Sequence, residues 1–178
     1  MALWSSFESK VVTAFGVTTL VVVVLAISTW KVADDATQTA QMMAHSQRVL
    51  NNLVRTRAYS LQAELATQNF RLTGHADHLR ERNEAMASRE GALERVRELT
   101  ADSPKQQSNW NELRAVIDQR IAIARQVEQL RLREGSEAAN AFAAAAPLKA
   151  TRTRTYGLLN EMEEEARQRL MQRESDHA

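Results

Sequence analysis

The feature that most constrains this chain is a run of twenty residues, Val11 to Trp30, that contains no charged side chain and lies between Lys10 and Lys31. At about 1.5 Å per residue, a helix of that length spans roughly 30 Å, the thickness of the hydrocarbon core of a bilayer. A buried helix of a soluble domain seldom stays apolar on every face for so long. We therefore expect residues 11–30 to form one membrane-spanning helix, preceded by a short cytoplasmic N-terminus at residues 1–10.

A cleavable signal peptide is the main alternative to an anchor, because the chain begins with a short charged segment followed by apolar residues. The run is long for the apolar part of a signal peptide, and no small-x-small cleavage site closes it, so an uncleaved anchor is favoured. Five hydroxyl residues of the run are compatible with a membrane helix, since each hydroxyl can hydrogen-bond the carbonyl one turn earlier, and they are Thr13, Thr18, Thr19, Ser28 and Thr29. Basic residues on the two sides of the run are too evenly balanced to orient it.

Residues 31–178 have the composition of one helical domain. The chain contains five glycines and two prolines, too few for a turn-rich β fold, and Ala, Arg, Glu, Gln and Leu dominate it. Its 23 basic and 22 acidic residues nearly cancel, so bulk charge does not predict a nucleic-acid partner. The absence of cysteine excludes disulfides, thiolate metal ligands and cysteine nucleophiles. We expect an all-α domain.

Helix-breaking residues divide this domain into four predicted helices. Breaks fall at Thr73-Gly74, at residues 101–104 and at residues 134–136. The predicted helices are residues 31–72, continuing the membrane helix; residues 76–100; a third that begins at Pro104 after an Asp102 or Ser103 N-cap; and a fourth after a Ser136 N-cap.

The first and the fourth helix carry two further predictions. On the first helix, leucines at intervals of three, four or their sums predict the buried face, and they are Leu50, Leu53, Leu61, Leu65 and Leu72. In the fourth, Pro147 either kinks the helix or separates a short helix at residues 137–146 from a new one. The kink is the favoured alternative.

Short loops between amphipathic helices predict that neighbouring helices pack antiparallel, so the domain should be an up-down-up-down four-helix bundle. The fourth helix then returns toward the membrane, and Ala178 should lie near the bilayer surface. We therefore expect a parent protein with a second spanning helix and a cytoplasmic output module, neither of which lies within this sequence.

Several short motifs resemble those of one sensory family. AELATQNFRLTG at residues 63–74 is similar to the A-E-T-G-Q-R-G-Y-L-L-T-G pattern of the type three CHASE domains, which are extracellular sensors of histidine kinases and cyclases. DSPKQQ at residues 102–107, LRLREGSEAA at residues 130–139 and the acidic EMEEEA at residues 161–166 resemble later segments of the same family. The matching positions are Ala63, Glu64, Phe70, Leu72, Thr73, Gly74, Asp102, Pro104, Gln106, Gln107, Arg133, Gly135, Ala138 and Ala139.

The chain also departs from this pattern. Gln68 stands where the family usually has arginine, Asn69 stands where it has glycine, and Leu65 and Ala66 replace a Thr-Gly pair. If that arginine anchors an ion pair or a ligand in the family, this chain has lost it.

The resemblance implies an extracytoplasmic four-helix bundle between two spanning helices. Such a domain lies in the periplasm or outside the cell, anchored in the cell inner membrane, and passes a signal to a histidine kinase, a nucleotide or diguanylate cyclase, or a chemoreceptor-like output. Two copies pairing through their membrane-proximal helices would form a homodimer, and movement of the fourth helix against the first would carry the signal. The expected stimulus is a small molecule or a periplasmic protein.

Polar residues on the first helix form one candidate ligand site. Arg57, Glu64 and Gln68 could cluster inside the bundle, although the same residues could equally form a hydrogen-bonded structural network. His75, Asp77 and His78 are better explained as a solvated turn than as metal ligands. No Ser/His/Asp set, phosphate loop or HExxH motif is present, so we expect neither catalysis nor a cofactor.

Two other functional classes fit the same helices. One is a membrane-anchored helical scaffold or interaction protein with no sensing role. The other is a chemoreceptor-type ligand-binding bundle, which differs from a kinase or cyclase sensor only in its cytoplasmic output.

Overall fold

The computed structural model of the chain describes the backbone of residues 2–175 and the side chains of that range except residues 2–14, 18, 32–36, 38–39, 170 and 172–175. This range contains five helices and no strand, which confirms the all-α prediction. The helices are α1 (Ala2–Thr73), α2 (Ala76–Leu99), α3 (Pro104–Arg133), α4 (Ser136–Ala145) and α5 (Leu148–Ser175).

The chain divides into two units, one up to Met43 and one from Ala44 onward. In the first unit three of the predicted back-bonds are confirmed, because the hydroxyls of Thr19, Ser28 and Thr29 donate to the carbonyls four residues earlier at 2.8–2.9 Å. Thr13 and Thr18 lie outside the described side chains. The predicted span at residues 11–30 lies partly outside the described side chains, at residues 11–14 and 18. Across the part of the chain that is described, no helix combines the length and the apolar character needed to cross a membrane.

The second unit has one principal core, to which four helices contribute. Its buried side chains come from α1, α2, α3 and α5, and they are Val49, Leu53, Leu93, Val96, Leu113, Ile117, Leu158, Leu159, Met162 and Ala166. A smaller cluster joins α3 to α4 through Ile123, Val127, Ala139 and Ala143. The short helix α4 therefore packs on α3 beside the principal core.

The buried face of α1 differs from the predicted one. Leu53 is buried and Leu50 is partly buried against the principal core, but Leu61, Leu65 and Leu72 are exposed. The buried face instead carries smaller side chains and one aromatic ring: Val49, Leu53, Thr56, Ala63, Ala66 and Phe70. These residues recur at intervals of three, four or their sum, so the helical period is right and the phase that the leucines predicted is wrong.

Ion pairs between helices define how the helices run relative to one another. Arg57 and Glu64 on α1 pair with Glu163 and Arg152 on α5, so numbers rise along one helix as they fall along the other. α1 and α5 are therefore antiparallel. Arg82 and Glu90 on α2 pair in the same inverted order with Glu128 and Arg114 on α3, so these two helices are antiparallel as well.

The predicted helix ends between α1 and α4 are confirmed with one correction. Gly74 and Gly135 have φ angles of 76° and 92°, which glycine adopts without steric cost. Ser103 is the N-cap of α3, and its hydroxyl accepts a bond from the amide of Gln106. At α4, however, the N-cap is Gly135 and not Ser136 as predicted. Ser136 is the first helical residue, because the extended turn ends at the glycine.

The favoured kink at Pro147 is wrong, and the alternative of two helices is the observed structure. Helix α4 ends at Ala145, Ala146 is extended with φ −70° and ψ 149°, and α5 begins at Leu148. A proline disfavours helical geometry in the residue before it and offers no N–H to continue the ladder. The break turns the chain from the α3–α4 cluster back to the principal core.

We expect Gly74→Ala to lower the free energy of unfolding by about 1–2 kcal/mol, because alanine is strained at a positive φ. The new Cβ would also lie 2.8 Å from Nη2 of Arg131. The matched control is Gly91→Ala within α2, where nothing lies within 4 Å of the new Cβ. In that control the free energy of unfolding should rise by about 0.5–1 kcal/mol, because alanine favours the helix more than glycine does. Urea unfolding followed by circular dichroism measures both, and equal effects would contradict the assigned turn.

We expect Ser103→Ala to lower the free energy of unfolding by about 1–2 kcal/mol, because the α3 cap and a bond from Arg169 at 2.6 Å are both lost. Ser136→Ala is the matched control, since no side chain caps α4. It should change stability by less than about 0.5 kcal/mol. The same urea titration compares them, and a larger loss at Ser136 would reverse the cap assignment.

Candidate functional site

The second unit contains a cavity of about 80 Å³ that is lined by side chains from all five helices. Its apolar lining comes mainly from α3, α4 and the start of α5, and includes Ile121, Ile123, Val127, Ala143 and Leu148. Its polar lining comes from α1, α2 and α3, and consists of Ser60, Glu64, Thr67, Gln68, Arg71, Arg89 and Arg120. Three arginines and one glutamate make this lining cationic.

The glutamate and one arginine of the cavity already have partners. Glu64 accepts an ion pair from Arg120 at 3.0 Å and a longer one from Arg152 at 3.7 Å. Arg120 also donates to the Leu148 carbonyl at 3.2 Å and to the Thr151 hydroxyl at 3.0 Å. This network ties α1 and α3 to the start of α5 on one side of the cavity.

Arg89 on α2 has no comparable partner. The residue is only 4% exposed, and its Nε and Nη2 atoms are buried without a hydrogen-bond partner among the described residues. Burial lowers the pKa of Arg89 below its usual value, although Glu90 and Asp118 oppose that shift. Arginine nevertheless stays protonated in proteins, so the cavity wall carries an unneutralised buried cation.

The two carboxylates that act on the pKa of Arg89 are occupied by another arginine. Arg114 donates to both Glu90 and Asp118, the second at 3.1 Å. Burial works to lower the pKa of Arg114, but these two hydrogen bonds outweigh it and raise the pKa above its usual value. Arg71 adds a further cation to the cavity, and its Nε is also buried without a hydrogen-bond partner.

The structure brings two of the three predicted site residues to this cavity and places the third elsewhere. Glu64 and Gln68 line the cavity, but Arg57 does not. Its guanidinium instead contacts α5, with Nε and Nη2 at 3.3 and 2.8 Å from one oxygen of Glu163 and Nη2 at 2.7 Å from Asn160. Arg57 therefore belongs to a contact between α1 and α5.

Sequence reasoning missed Arg71, Arg89 and Arg120. For Arg89 a signal was present in the spacing of α2. The apolar residues Leu79 and Met86 are seven apart, and Arg82 and Arg89 each follow one of them by three residues. An arginine at such a position lies on the face that a helix buries. Arg82 is 5% exposed and pairs with Glu128 at 2.7 Å, whereas Arg89 faces the cavity.

Two of the motif residues hold the ends of helices together. The side-chain amide of Gln106 donates to the Met162 carbonyl on α5 at 3.0 Å. The side-chain amide of Gln107 donates to the Arg97 carbonyl at the end of α2 at 2.9 Å. Ala63 and Phe70 are buried on α1, and Ala139 is buried on α4. The exposed motif positions are Leu72, Thr73, Gly74, Asp102, Pro104 and Arg133.

The polar turn after α1 is held by local contacts. His78 lies 3.2 Å from Glu81 through Nδ1, and the rings of His75 and His78 are 6.5 Å apart. The backbone amide of His75 donates to the Thr73 hydroxyl. Within the part of the chain that the structure describes, no three His, Asp or Glu side chains are grouped closely enough to hold a metal ion.

The fold and the cavity define an all-helical domain with a small space between its helices. The CHASE3 domain model matches residues 39–176, and the chain belongs to the CHASE3 family. It is therefore an extracytoplasmic sensory module of a signalling protein.

A solved structure agrees with this fold. The chain is similar to the crystal structure of the sensor domain of the histidine kinase HK9 from Rhodopseudomonas palustris, with 24% identity and a TM-score of 0.66. The match covers 71% of this chain and 98% of that one. A comparison with curated proteins found no match.

Proposed function

We propose that this sensory module is the input part of a bacterial transmembrane histidine kinase or nucleotide cyclase. Its helices form an antiparallel up-down-up-down bundle outside the inner membrane, and residues 11–30 anchor it as a membrane-spanning helix. Two copies form a homodimer, and movement of α5 against α1 carries the signal. The observation that carries the proposal is the polar contact between α1 and α5.

That contact is built from a few discrete polar pairs. Glu163 on α5 is 8% exposed and receives two hydrogen bonds from Arg57 on α1. Further along α1, Glu64 pairs with Arg152 on α5. The Tyr156 ring lies between these pairs, with the guanidinium carbons of Arg57 and Arg152 at 5.5 and 6.0 Å from its centroid.

Such a contact suits a switch better than a continuous apolar seam would. An ion pair or a bidentate hydrogen bond is either formed or broken, so sliding one helix along the other passes between separate arrangements. A stimulus then needs only a difference in affinity between two arrangements to bias the output.

The anchor is supported by the sequence and by exposure. Residues 11–30 contain no charge and have the length of a spanning helix. Within that run the side chains of Phe15, Leu20, Leu25 and Ile27 are exposed. A lipid environment would cover these apolar groups, which water would leave as a large apolar patch.

The homodimer is tested by the molar mass of the full chain in detergent, measured by light scattering over a range of concentrations. We expect a dimer whose population rises with concentration, because subunits that signal together must contact each other. A monomer at every concentration would contradict the dimer and favour the scaffold function.

Helix movement is tested by double electron–electron resonance on the full chain in nanodiscs. The native chain has no cysteine, so Val54→Cys on α1 and Met171→Cys on α5 can be spin-labelled alone, and both positions are exposed. We expect two distance populations whose ratio changes when Glu163→Gln weakens the polar contact. Asp77→Asn, which alters an exposed pair with Arg80 on α2, is the control. One narrow population that Glu163→Gln leaves unchanged would contradict the switch.

A further inference from the structure

The most unusual group in the described part of the chain is the guanidinium of Arg89. A buried cation without a partner is costly, and buried charges in proteins are normally paired or hydrogen-bonded. Here the unpaired atoms belong to a residue that lines a cavity. The residue with unmet hydrogen-bond donors is therefore part of the cavity wall.

The two unpaired atoms of Arg89 have a specific geometry. Nε and Nη2 donate from one edge of the guanidinium plane, and this edge matches the two oxygens of a carboxylate. Arg57 uses the same two atoms to bind Glu163 elsewhere in the chain. Arg89 presents that edge without a carboxylate on it.

The charge of the cavity lining also favours an anion over a zwitterion. Glu64 is the acidic residue among the lining side chains, and it is already bound to Arg120. An amino acid would bring an ammonium group that has no free carboxylate to meet it. Arg71 supplies a second cation with a buried, unpaired Nε.

The remaining space sets the size and polarity of the occupant. A cavity of about 150 Å³ admits the six carbons of benzene, so a space of about 80 Å³ takes about three or four non-hydrogen atoms. The wall opposite the polar residues is formed by aliphatic side chains such as Ile123, Val127 and Leu148. A short hydrocarbon tail is complementary to this wall, whereas phosphate would leave its oxygens unpaired against it.

We propose that the cavity is a binding site for a small aliphatic monocarboxylate, with Arg89 holding the carboxylate and the α3–α4 side holding a tail of about one carbon. Arg71 adds a second positive charge. The ion pair between Glu64 and Arg120 holds the start of α5 in place. This inference rests on the proposed function, because it names the chemical class of the stimulus. A ligand at this position would contact all five helices, including α1 and α5.

The test is isothermal titration calorimetry of the full chain in detergent with sodium acetate, propionate and butyrate. Phosphate, alanine, 1-butanol and butylamine serve as comparison probes. We expect saturable binding that is tightest for acetate and weakens as the tail lengthens to propionate and butyrate, and no binding of the four comparison probes. Arg89→Met should weaken the carboxylate affinity by about 10- to 100-fold, the effect of losing a charge-assisted hydrogen-bond pair.

Two further variants separate binding from folding. Arg82→Met changes another buried arginine of α2 that pairs with Glu128 and does not line the cavity, and it should leave affinity within about threefold. Ala143→Leu keeps every charge but fills the cavity, and it should abolish binding of butyrate before that of acetate. Circular dichroism confirms that each variant is folded.

The proposal is overturned if no carboxylate binds at millimolar concentration, or if Arg89→Met binds as tightly as the native chain. It is also overturned if 1-butanol, alanine or phosphate binds with the same dependence on Arg89. Absence of binding by a chain that is dimeric and shows two distance populations overturns the ligand class alone. The proposed switching function fails separately, through the light-scattering and spin-label measurements.

Discussion

Arg89→Met will raise the free energy of unfolding of the ligand-free chain by about 1–3 kcal/mol, because it removes a buried cation that lacks a partner. Methionine has a similar length and keeps the packing that the arginine stem provides. Most core substitutions destabilise a protein, so the sign of this effect is its diagnostic feature. Urea unfolding followed by circular dichroism gives the free energy.

Arg82→Met is the matched control, seven residues earlier on the same face of α2. Arg82 is equally buried but is paired with Glu128 at 2.7 Å. Removing it leaves that carboxylate without its cation, and we expect a loss of about 1–3 kcal/mol. Opposite signs at these two arginines would show that stability is sacrificed at Arg89 for binding. A loss at Arg89 as large as at Arg82 would mean that Arg89 stabilises the fold.

The second large effect is expected at the contact between α1 and α5. Arg57→Met should lower the free energy of unfolding by about 2–3 kcal/mol, because Glu163 is 8% exposed and would lose its principal cation in a site that water barely reaches. Its remaining cation, Arg167, is 3.8 Å away and mostly solvated. Glu163→Met should cost about 1 kcal/mol, since Arg57 retains water and the Tyr156 ring.

The double variant Arg57→Met, Glu163→Met should lose little more free energy of unfolding than Glu163→Met alone. This corresponds to a coupling of about 1.5–3 kcal/mol between the two side chains. The exposed pair Asp77–Arg80 on α2 provides the control cycle at a distance of 3.1 Å. Its coupling should stay below about 0.5 kcal/mol, because solvent screens exposed pairs. Similar coupling in the two cycles would contradict a special role for the α1–α5 contact.

The helix boundaries were largely predictable from local chemistry. Gly74, Pro104 and Gly135 act through their own backbone angles and missing groups, so their effect does not depend on the rest of the fold. Pro147 shows the limit of that reasoning. The residue before proline was known to avoid helical geometry, but whether the chain bends or breaks there depends on what α4 and α5 pack against, and α4 packs on α3.

The phase of α1 shows a second limit. Leu61, Leu65 and Leu72 are larger and more hydrophobic than Ala63 and Ala66, yet the alanines are buried. The buried face of α1 carries small side chains where it meets the cavity, and Ala63 is one of the lining residues. Hydrophobicity read along one helix could not identify this face, because the size of the gap is set by the neighbouring helices.

The candidate site was only partly visible in the sequence. Glu64 and Gln68 were identified from α1 alone. Arg57 was grouped with them because all three residues lie along the same helix. Residues that are seven apart on a helix lie on nearly the same side but about 10 Å apart along the axis. That distance lets Arg57 meet α5 while Glu64 meets the cavity.

The sequence by itself determined the helical class, the positions of the turns and the motifs of the CHASE3 family, because each depends on residues close together in the chain. The tertiary structure alone decided which arginines acquired partners. Arg82, Arg89 and Arg120 have the same side chain, but Arg82 lies opposite Glu128, Arg120 lies opposite Glu64, and Arg89 faces a space. Charge pairing depends on distances of a few ångströms between helices, and only packing sets those distances.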